Sequence, residues 1–135
     1  MQRDDSAIND TLEDFLGEHV LQVMLVNKMG KVESAASKGT NNLAKDREEI
    51  FSMGLRLHQS MLQEFDDEFG PVEHCVISRK NAKIVAIPLG SRNLVFVMDI
   101  KSDHEAVFRK TDGVRGYFRG KVESNPLHAE EKADV

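Results

Sequence analysis

The pattern of hydrophobic and polar positions between residues 43 and 69 predicts one long helix. On a wheel of about 100° per residue, its hydrophobic side chains span an arc of about 200°. They are Ile50, Phe51, Met53, Leu55, Leu57, Met61, Leu62, Phe65 and Phe69. A helix on one sheet usually needs an apolar stripe of about 100°, so the extra width predicts a second buried contact. Arg56, Gln59, Gln63 and Asp67 are expected on the opposite, polar side.

Gly54 lies in the middle of this arc, although glycine costs a helix interior about 1 kcal/mol relative to alanine. Its position predicts a close contact between two helices, and the alternative is close packing on the chain's own sheet. His58 also lies within the arc, either as a pH-sensitive interface residue or as a rim histidine. The predicted dimer interface is Ile50, Met53, Gly54, Leu57, His58 and Met61. Gly54→Leu or Met53→Glu is expected to weaken self-association more than folding.

Shorter hydrophobic patterns predict strands on both sides of the long helix. The short connections make both groups of strands antiparallel. Pro88 lacks an amide donor and is expected near a strand end or on a free edge. The last strand is almost continuously apolar, which predicts a central position covered on both faces. The predicted elements are helix 6–17, strands 20–27 and 32–37, helix 43–69, strands 72–78, 83–89 and 94–100, and helix 103–118.

Length and charge narrow the class of protein. The 135 residues suit one domain at 1–118, followed by a flexible tail at 119–135 that has little to bury. The net charge of −5 lies mostly in residues 1–19. Because the chain has no excess of basic residues, nucleic-acid binding is not expected. Neither a membrane-spanning apolar run nor a secretory signal is recognised. The single cysteine, Cys75, excludes an internal disulfide, and we expect a cytoplasmic protein.

Candidate chemistry is sparse. The five histidines show no metal-ligand spacing, so neither a metal nor a cofactor is expected. His74 and Cys75 are neighbours in a predicted strand and should point to opposite faces, so they are not expected to share one metal ion. No glycine-rich phosphate loop follows a strand, so this chain is not expected to bind a nucleotide.

Charged residues gather at two further places. Glu64, Asp66, Asp67 and Glu68 crowd the end of the long helix. They form either an acidic patch for a basic partner or a solvated helix end that Arg92 partly neutralises. Arg79, Lys80 and Lys83 form a basic hairpin tip, for which an anion contact and an ordinary exposed turn are both open.

The predicted elements follow in the order helix, two strands, long helix, three strands, helix. This order resembles the roadblock/dynein-light-chain family of profilin-like folds, and the sequence resembles that family's uncharacterised archaeal members. The resembling stretches are 20–37, the long helix and 76–100, which includes Ile87-Pro88-Leu89-Gly90 before the last apolar strand. The resemblance implies an α/β (α+β) fold with a five-stranded antiparallel sheet. It places the long helix on one face and the terminal helices on the other. It also implies homodimers or heterodimers built from the long helices and a sheet edge.

Three functions follow from these patterns, in decreasing order of support. The first is a non-enzymatic dimerisation and scaffolding module, regulating a small Ras-like GTPase or a signalling complex as the resemblance implies. The second is a small-molecule sensor that holds its ligand between sheet and helix, which a filled core would argue against. The third is a thiol enzyme that uses Cys75 with His74 or His58.

Overall fold

A computed structural model describes residues 2–17, 19–38 and 43–123. The chain forms a five-stranded antiparallel sheet in the order β2-β1-β5-β4-β3. The elements are α1 (Gln2–Glu13), β1 (Val20–Val26), β2 (Val32–Ser37), α2 (Lys45–Leu62), a 3-10 turn (Gln63–Phe65), α3 (Asp66–Phe69), β3 (Cys75–Ser78), β4 (Lys83–Leu89), β5 (Arg92–Met98) and α4 (His104–Glu123). The predicted fold class is confirmed, with β5 at the centre of the sheet as its apolar sequence indicated.

The two faces of the sheet bury separate hydrophobic clusters because side chains alternate along each strand. On one face, Leu12 and Phe15 from the N-terminal segment and Val107 from α4 pack around Phe96. On the other face, Leu55 of α2 packs over Met24 and Val95. The terminal helices therefore cover one face and the long helix covers the other, as the resemblance implied.

The first hairpin turns at Asn27–Lys31. The Asn27 carboxamide oxygen accepts hydrogen bonds from the amides of Met29 and Lys31. Gly30 has a φ of +86°, a conformation that side chains strongly disfavour. A Cβ at Gly30 would lie 3.1 Å from the Met53 Cα, so this turn also lies directly against α2.

The last hairpin is tighter than predicted. We expected a four-residue turn and a strand at 94–100, but β5 already begins at Arg92, which pairs with Leu89. The turn contains only Gly90 and Ser91, and Gly90 adopts a φ of +67°. Glycine in the first position with positive φ is typical of a two-residue type II′ turn, which lets pairing start at once.

Strand β3 is shorter than the predicted 72–78, because it begins only at Cys75. The β3–β4 register would place Glu73 opposite Pro88. Proline has no amide hydrogen to donate, so the ladder cannot continue past this point. Pro88 lies one residue before the end of β4, which agrees with its predicted position near a strand end.

The terminal helices also differ in their limits. Helix α1 spans Gln2–Glu13, not 6–17, and ends where Phe15 and Leu16 donate to carbonyls three residues back. Helix α4 continues to Glu123, beyond the predicted end at 118, and residues 124–135 of the predicted tail lie outside the described residues. Within the described ranges, no helix is both long and apolar enough to cross a membrane.

Candidate self-association surface on the long helix

The predicted helix at 43–69 consists of three consecutive pieces. Helix α2 ends at Leu62, the backbone tightens into a 3-10 turn at Gln63–Phe65, and α3 continues to Phe69. Gly70 follows with a φ of +83° and ends the helical path. The hydrophobic positions therefore belong to one regular α-helix only as far as Leu62, and Phe65 and Phe69 lie on the segment that follows it.

The side of α2 that faces the sheet combines two buried polar residues with Leu55 and the partly buried Phe51. Ser52, Leu55 and Gln59 are its buried residues, and only Leu55 among them is hydrophobic. The prediction that Gln59 lies on the solvent side is wrong, because its side chain is only 6% exposed. Its carboxamide nitrogen donates to the Asn93 Oδ1 atom at 3.0 Å, and this bond compensates for the burial of both amides.

A second polar link fixes the beginning of α2. The Gln22 side chain, completely buried on β1, donates to the Glu48 carboxylate and accepts from the amide of Leu43 at 3.0 Å. Burial raises the pKa of the Glu48 carboxyl, against the opposing effects of the Gln22 hydrogen bond and the nearby Lys45 ammonium. Together with the Gln59–Asn93 bond, this link determines which side of α2 lies on the sheet.

The opposite side of α2 is hydrophobic and exposed. Eight large hydrophobic side chains are exposed among the described residues, and six of them lie between Ile50 and Phe69. We call the four members of this set that lie on α2, together with Gly54 between them, the outer face: Ile50, Met53, Gly54, Leu57 and Met61. The exposed fractions of its four side chains are 63%, 52%, 67% and 71% for Ile50, Met53, Leu57 and Met61. A contiguous apolar surface of this kind commonly marks an interaction site.

Gly54 lies within the outer face, and a Cβ built on it would meet no atom within 4 Å. Close packing of Gly54 on the chain's own sheet, the alternative considered from the sequence, is therefore excluded. The predicted interface residue His58 is also exposed and borders the outer face. All six predicted interface residues thus lie on the accessible side of α2, while their role in self-association stays a prediction.

The β1–β2 turn supports this arrangement from the side. The Arg56 guanidinium donates through Nε to the Lys28 carbonyl at 2.9 Å, and Gly30 packs against Met53. Since the turn contacts the flank of α2, it holds the helix without covering the outer face.

The remaining candidate residues are dispersed. The His74 ring stacks on Phe108 at a centroid distance of 4.1 Å, whereas Cys75 packs with the cluster beneath α2. These neighbours point to opposite faces of the sheet, as predicted. Burial raises the pKa of the Cys75 thiol, a change that a hydrogen bond to Gln59 opposes, so the protonated and less nucleophilic form is favoured. Among the residues described here, no three metal-ligating side chains come together.

The charged residues of the two predicted clusters differ in their contacts and in their exposure. Arg92, expected to neutralise the acidic helix end, forms an ion pair with Glu33 of β2 at 2.6 Å. Lys83, expected at an exposed basic tip, donates to the Ser102 carbonyl at 2.7 Å and approaches His104 Nδ1 at 3.2 Å. Glu64, Asp67 and Glu68 are exposed at the end of the long helix.

A half-open groove of about 610 Å³ lies on the α4 face of the sheet. Its walls are Pro71, Val72, Glu73, His74, Ile87, Pro88, Phe108 and Asp112. The sensor hypothesis expected a ligand between sheet and helix. Met24, Leu55 and Val95 pack together between the sheet and the long helix, and this groove lies on the side of α4.

Comparisons with known proteins show the fold. Neither the protein-family models nor the curated proteins contain a match to this sequence. Among solved structures, gliding protein MglB from Thermus thermophilus is 13% identical with a TM-score of 0.75, covering 90% of this chain and 92% of its own. Myxococcus xanthus MglB is 15% identical with a TM-score of 0.71, covering 93% and 98%. The Roadblock/LC7 domain from Streptomyces avermitilis is 15% identical with a TM-score of 0.66, covering 82% and 96%.

The chain therefore has the roadblock fold, as its element order predicted. Profilin IA from Acanthamoeba castellanii, with 10% identity and a TM-score of 0.54, is similar as well and agrees with a profilin-like architecture. At such low identities the likeness concerns the fold, and function has to be inferred from surfaces and sites.

Proposed function

We propose that this protein is a non-enzymatic homodimerisation and scaffolding module that pairs through the outer face of α2. The observation that carries the proposal is the exposed hydrophobic face of α2, on the side away from the sheet. Polar Ser52 and Gln59 lie against the sheet, and hydrophobic Ile50, Leu57 and Met61 face away from it. Leaving such a face in water is unfavourable, and a second copy of the same face covers it with matching chemistry.

Gly54 gives this pairing its geometry. A two-fold axis perpendicular to the paired helices makes them antiparallel. An axis close to Gly54 and Leu57 sets Leu57 of each copy against Gly54 of the other, where a Cβ is absent. The same axis places Ile50 opposite Met61 of the partner subunit, so hydrophobic residues meet at both ends of the outer face. One similar structure is MglB with a tetrameric arrangement, and the self-association of that protein supports the proposal.

Chemical cross-linking tests this geometry. Leu57→Cys in a Cys75→Ser background is expected to give a covalent dimer with a short bis-maleimide reagent, because residues near the axis approach their counterparts. Lys80→Cys in the same background is the matched control, since Lys80 lies exposed in the β3–β4 turn. Equal cross-linking at both positions, or none at position 57, would contradict pairing through the outer face.

The finer part of the proposal is the partner of the dimer, a small Ras-like GTPase. This GTPase assignment rests on the family resemblance. Because the sequence carries no phosphate-binding loop, the nucleotide would be bound by the partner. Size-exclusion chromatography with a Ras-like GTPase from the same genome, loaded with a GTP analogue or with GDP, tests it. We expect co-elution that depends on the nucleotide. Separate elution in both states would refute the GTPase assignment and leave the dimer unaffected.

A further inference from the structure

The segment that follows α2, from Gln63 to Phe69, carries two exposed phenylalanines. Phe65 is 53% exposed and Phe69 is 85% exposed. Both follow the end of α2 at Leu62, Phe65 as the last residue of the 3-10 turn and Phe69 as the last residue of α3. Large aromatic side chains at this exposure are costly in water and are enriched at protein interfaces.

Pairing of the outer faces leaves these two rings at the margin. The axis near Gly54 and Leu57 places Arg47 opposite Glu64 of the partner subunit, close to the beginning of α2 at Lys45. Position 69 would then lie beyond Lys45, the first residue of α2 in the partner subunit. Phe69 therefore extends past the paired helices at each end of the dimer, and Phe65, opposite Asp46 of the partner subunit, lies at their margin.

The surroundings of the two rings are acidic. Between Gln63 and Gly70 the sequence contains Glu64, Asp66, Asp67 and Glu68 and no basic residue. The carboxyl-terminal ends of α2 and α3 add the negative end of the helix dipole. Residues 45–49, the part of a second copy that would lie nearest, hold two bases and three acids, so self-pairing does not neutralise this surface.

We propose that Phe65 and Phe69, with the carboxylates around them, form a docking site for a basic amphipathic segment of a partner protein. The rings provide hydrophobic contact area, and arginine fits best because its guanidinium stacks on aromatic faces and pairs with carboxylates. Each dimer carries two such sites, one at each end of the helix pair. The inference rests on the proposed dimer, in which Phe69 lies beyond the paired helices and Phe65 lies at their margin.

Fluorescence anisotropy with a synthetic peptide tests the site directly. The probe is a labelled amphipathic helix with leucine on one face and arginine on the other, and its control carries glutamate in place of arginine. We expect saturable binding of the arginine peptide, two per dimer, that weakens with added salt. Phe65→Ser together with Phe69→Ser should reduce affinity at least tenfold, while Met29→Ser, at an equally exposed residue of the β1–β2 turn, should leave it unchanged.

A second variant keeps both rings and removes charge. Asp67→Asn with Glu68→Gln should lower affinity several-fold and flatten its salt dependence, because the hydrophobic contacts remain. Equal binding of the glutamate peptide, or unchanged affinity in the Phe65/Phe69 double variant, would overturn the proposal. Circular dichroism confirms that each variant is folded before its affinity is compared.

Sedimentation of the same samples separates this inference from the proposed dimer. The Phe65/Phe69 double variant should remain dimeric while it loses the peptide. Loss of the dimer together with the peptide would place the rings inside the self-association surface and overturn the docking site. A monomeric wild type would refute the dimer, and the peptide titration would then still decide the docking site.

Discussion

Leu57→Glu is the perturbation that most sharply separates self-association from folding. Leu57 is 67% exposed in the isolated chain, near the middle of the outer face. Complete burial of a leucine side chain is worth about 1.5–3 kcal/mol. Covering the exposed two thirds in a dimer therefore contributes about 1–2 kcal/mol per copy.

Each dimer contains this residue twice, so the substitution removes about 2–4 kcal/mol of association free energy. That loss raises the dissociation constant by about 30- to 1,000-fold, and the unpaired carboxylates that replace the leucines add to it. The folded monomer should change by no more than about 0.5 kcal/mol, as is usual for an exposed position.

Sedimentation equilibrium gives the dissociation constant, and urea unfolding gives the stability of the monomer. Unfolding is measured at concentrations where both proteins are monomeric, because dimerisation itself stabilises the native state. Gln63→Glu is the matched control, since it adds the same charge at an exposed position away from the outer face. A loss of monomer stability as large as the loss of association would show that Leu57 belongs to the core, and the reasoning would fail.

Three further predictions concern the two sides of α2. Gly54→Ala should stabilise the monomer by about 0.5–1 kcal/mol, because nothing blocks a Cβ there. The same substitution should weaken the dimer. Tighter association of this variant in sedimentation would argue against a close helix contact at Gly54. Gln59→Ala should cost about 1–3 kcal/mol of unfolding free energy in urea, because the buried Asn93 amide loses its partner, whereas a cost below a few tenths would mean that the bond contributes little. Burial raises the pKa of the Glu48 carboxyl above its ordinary value of 4.5, so between these two values the folded chain binds more protons than the unfolded chain. Stability therefore falls as the pH rises from 4.5 through the raised pKa. Glu48→Gln should flatten this part of a pH series of urea midpoints, and an unchanged slope would assign it to other groups.

The sequence was sufficient to predict the order of elements and the central position of β5. Both depend on periodicity and continuity of hydrophobic residues, which are local properties of the chain. The limits of the strands depend on partners across the sheet. Only the β3–β4 register shows that Pro88 stops the ladder at Cys75, and only the positive φ of Gly90 shows that two residues complete the last turn.

The candidate surface was predicted less completely. The width of the hydrophobic arc correctly indicated that α2 has more apolar surface than one sheet contact uses. It could not indicate which part of the arc faces the sheet, because Gln59 and Ser52 look like solvent-facing residues in a helical pattern. The burial of Gln59 depends on Asn93, a residue on a distant strand whose position is fixed only by the folded sheet, whereas the Ser52 hydroxyl donates within α2 to the Glu48 carbonyl.

The molar mass of the wild-type protein in solution tests the central claim most directly. Light scattering coupled to size exclusion, over a concentration series that includes micromolar protein, distinguishes one chain of 15.2 kDa from a pair. Pairing through the outer face predicts twice the chain mass at micromolar concentration, with dissociation on dilution and in Leu57→Glu. A mass of one chain throughout the series would contradict it.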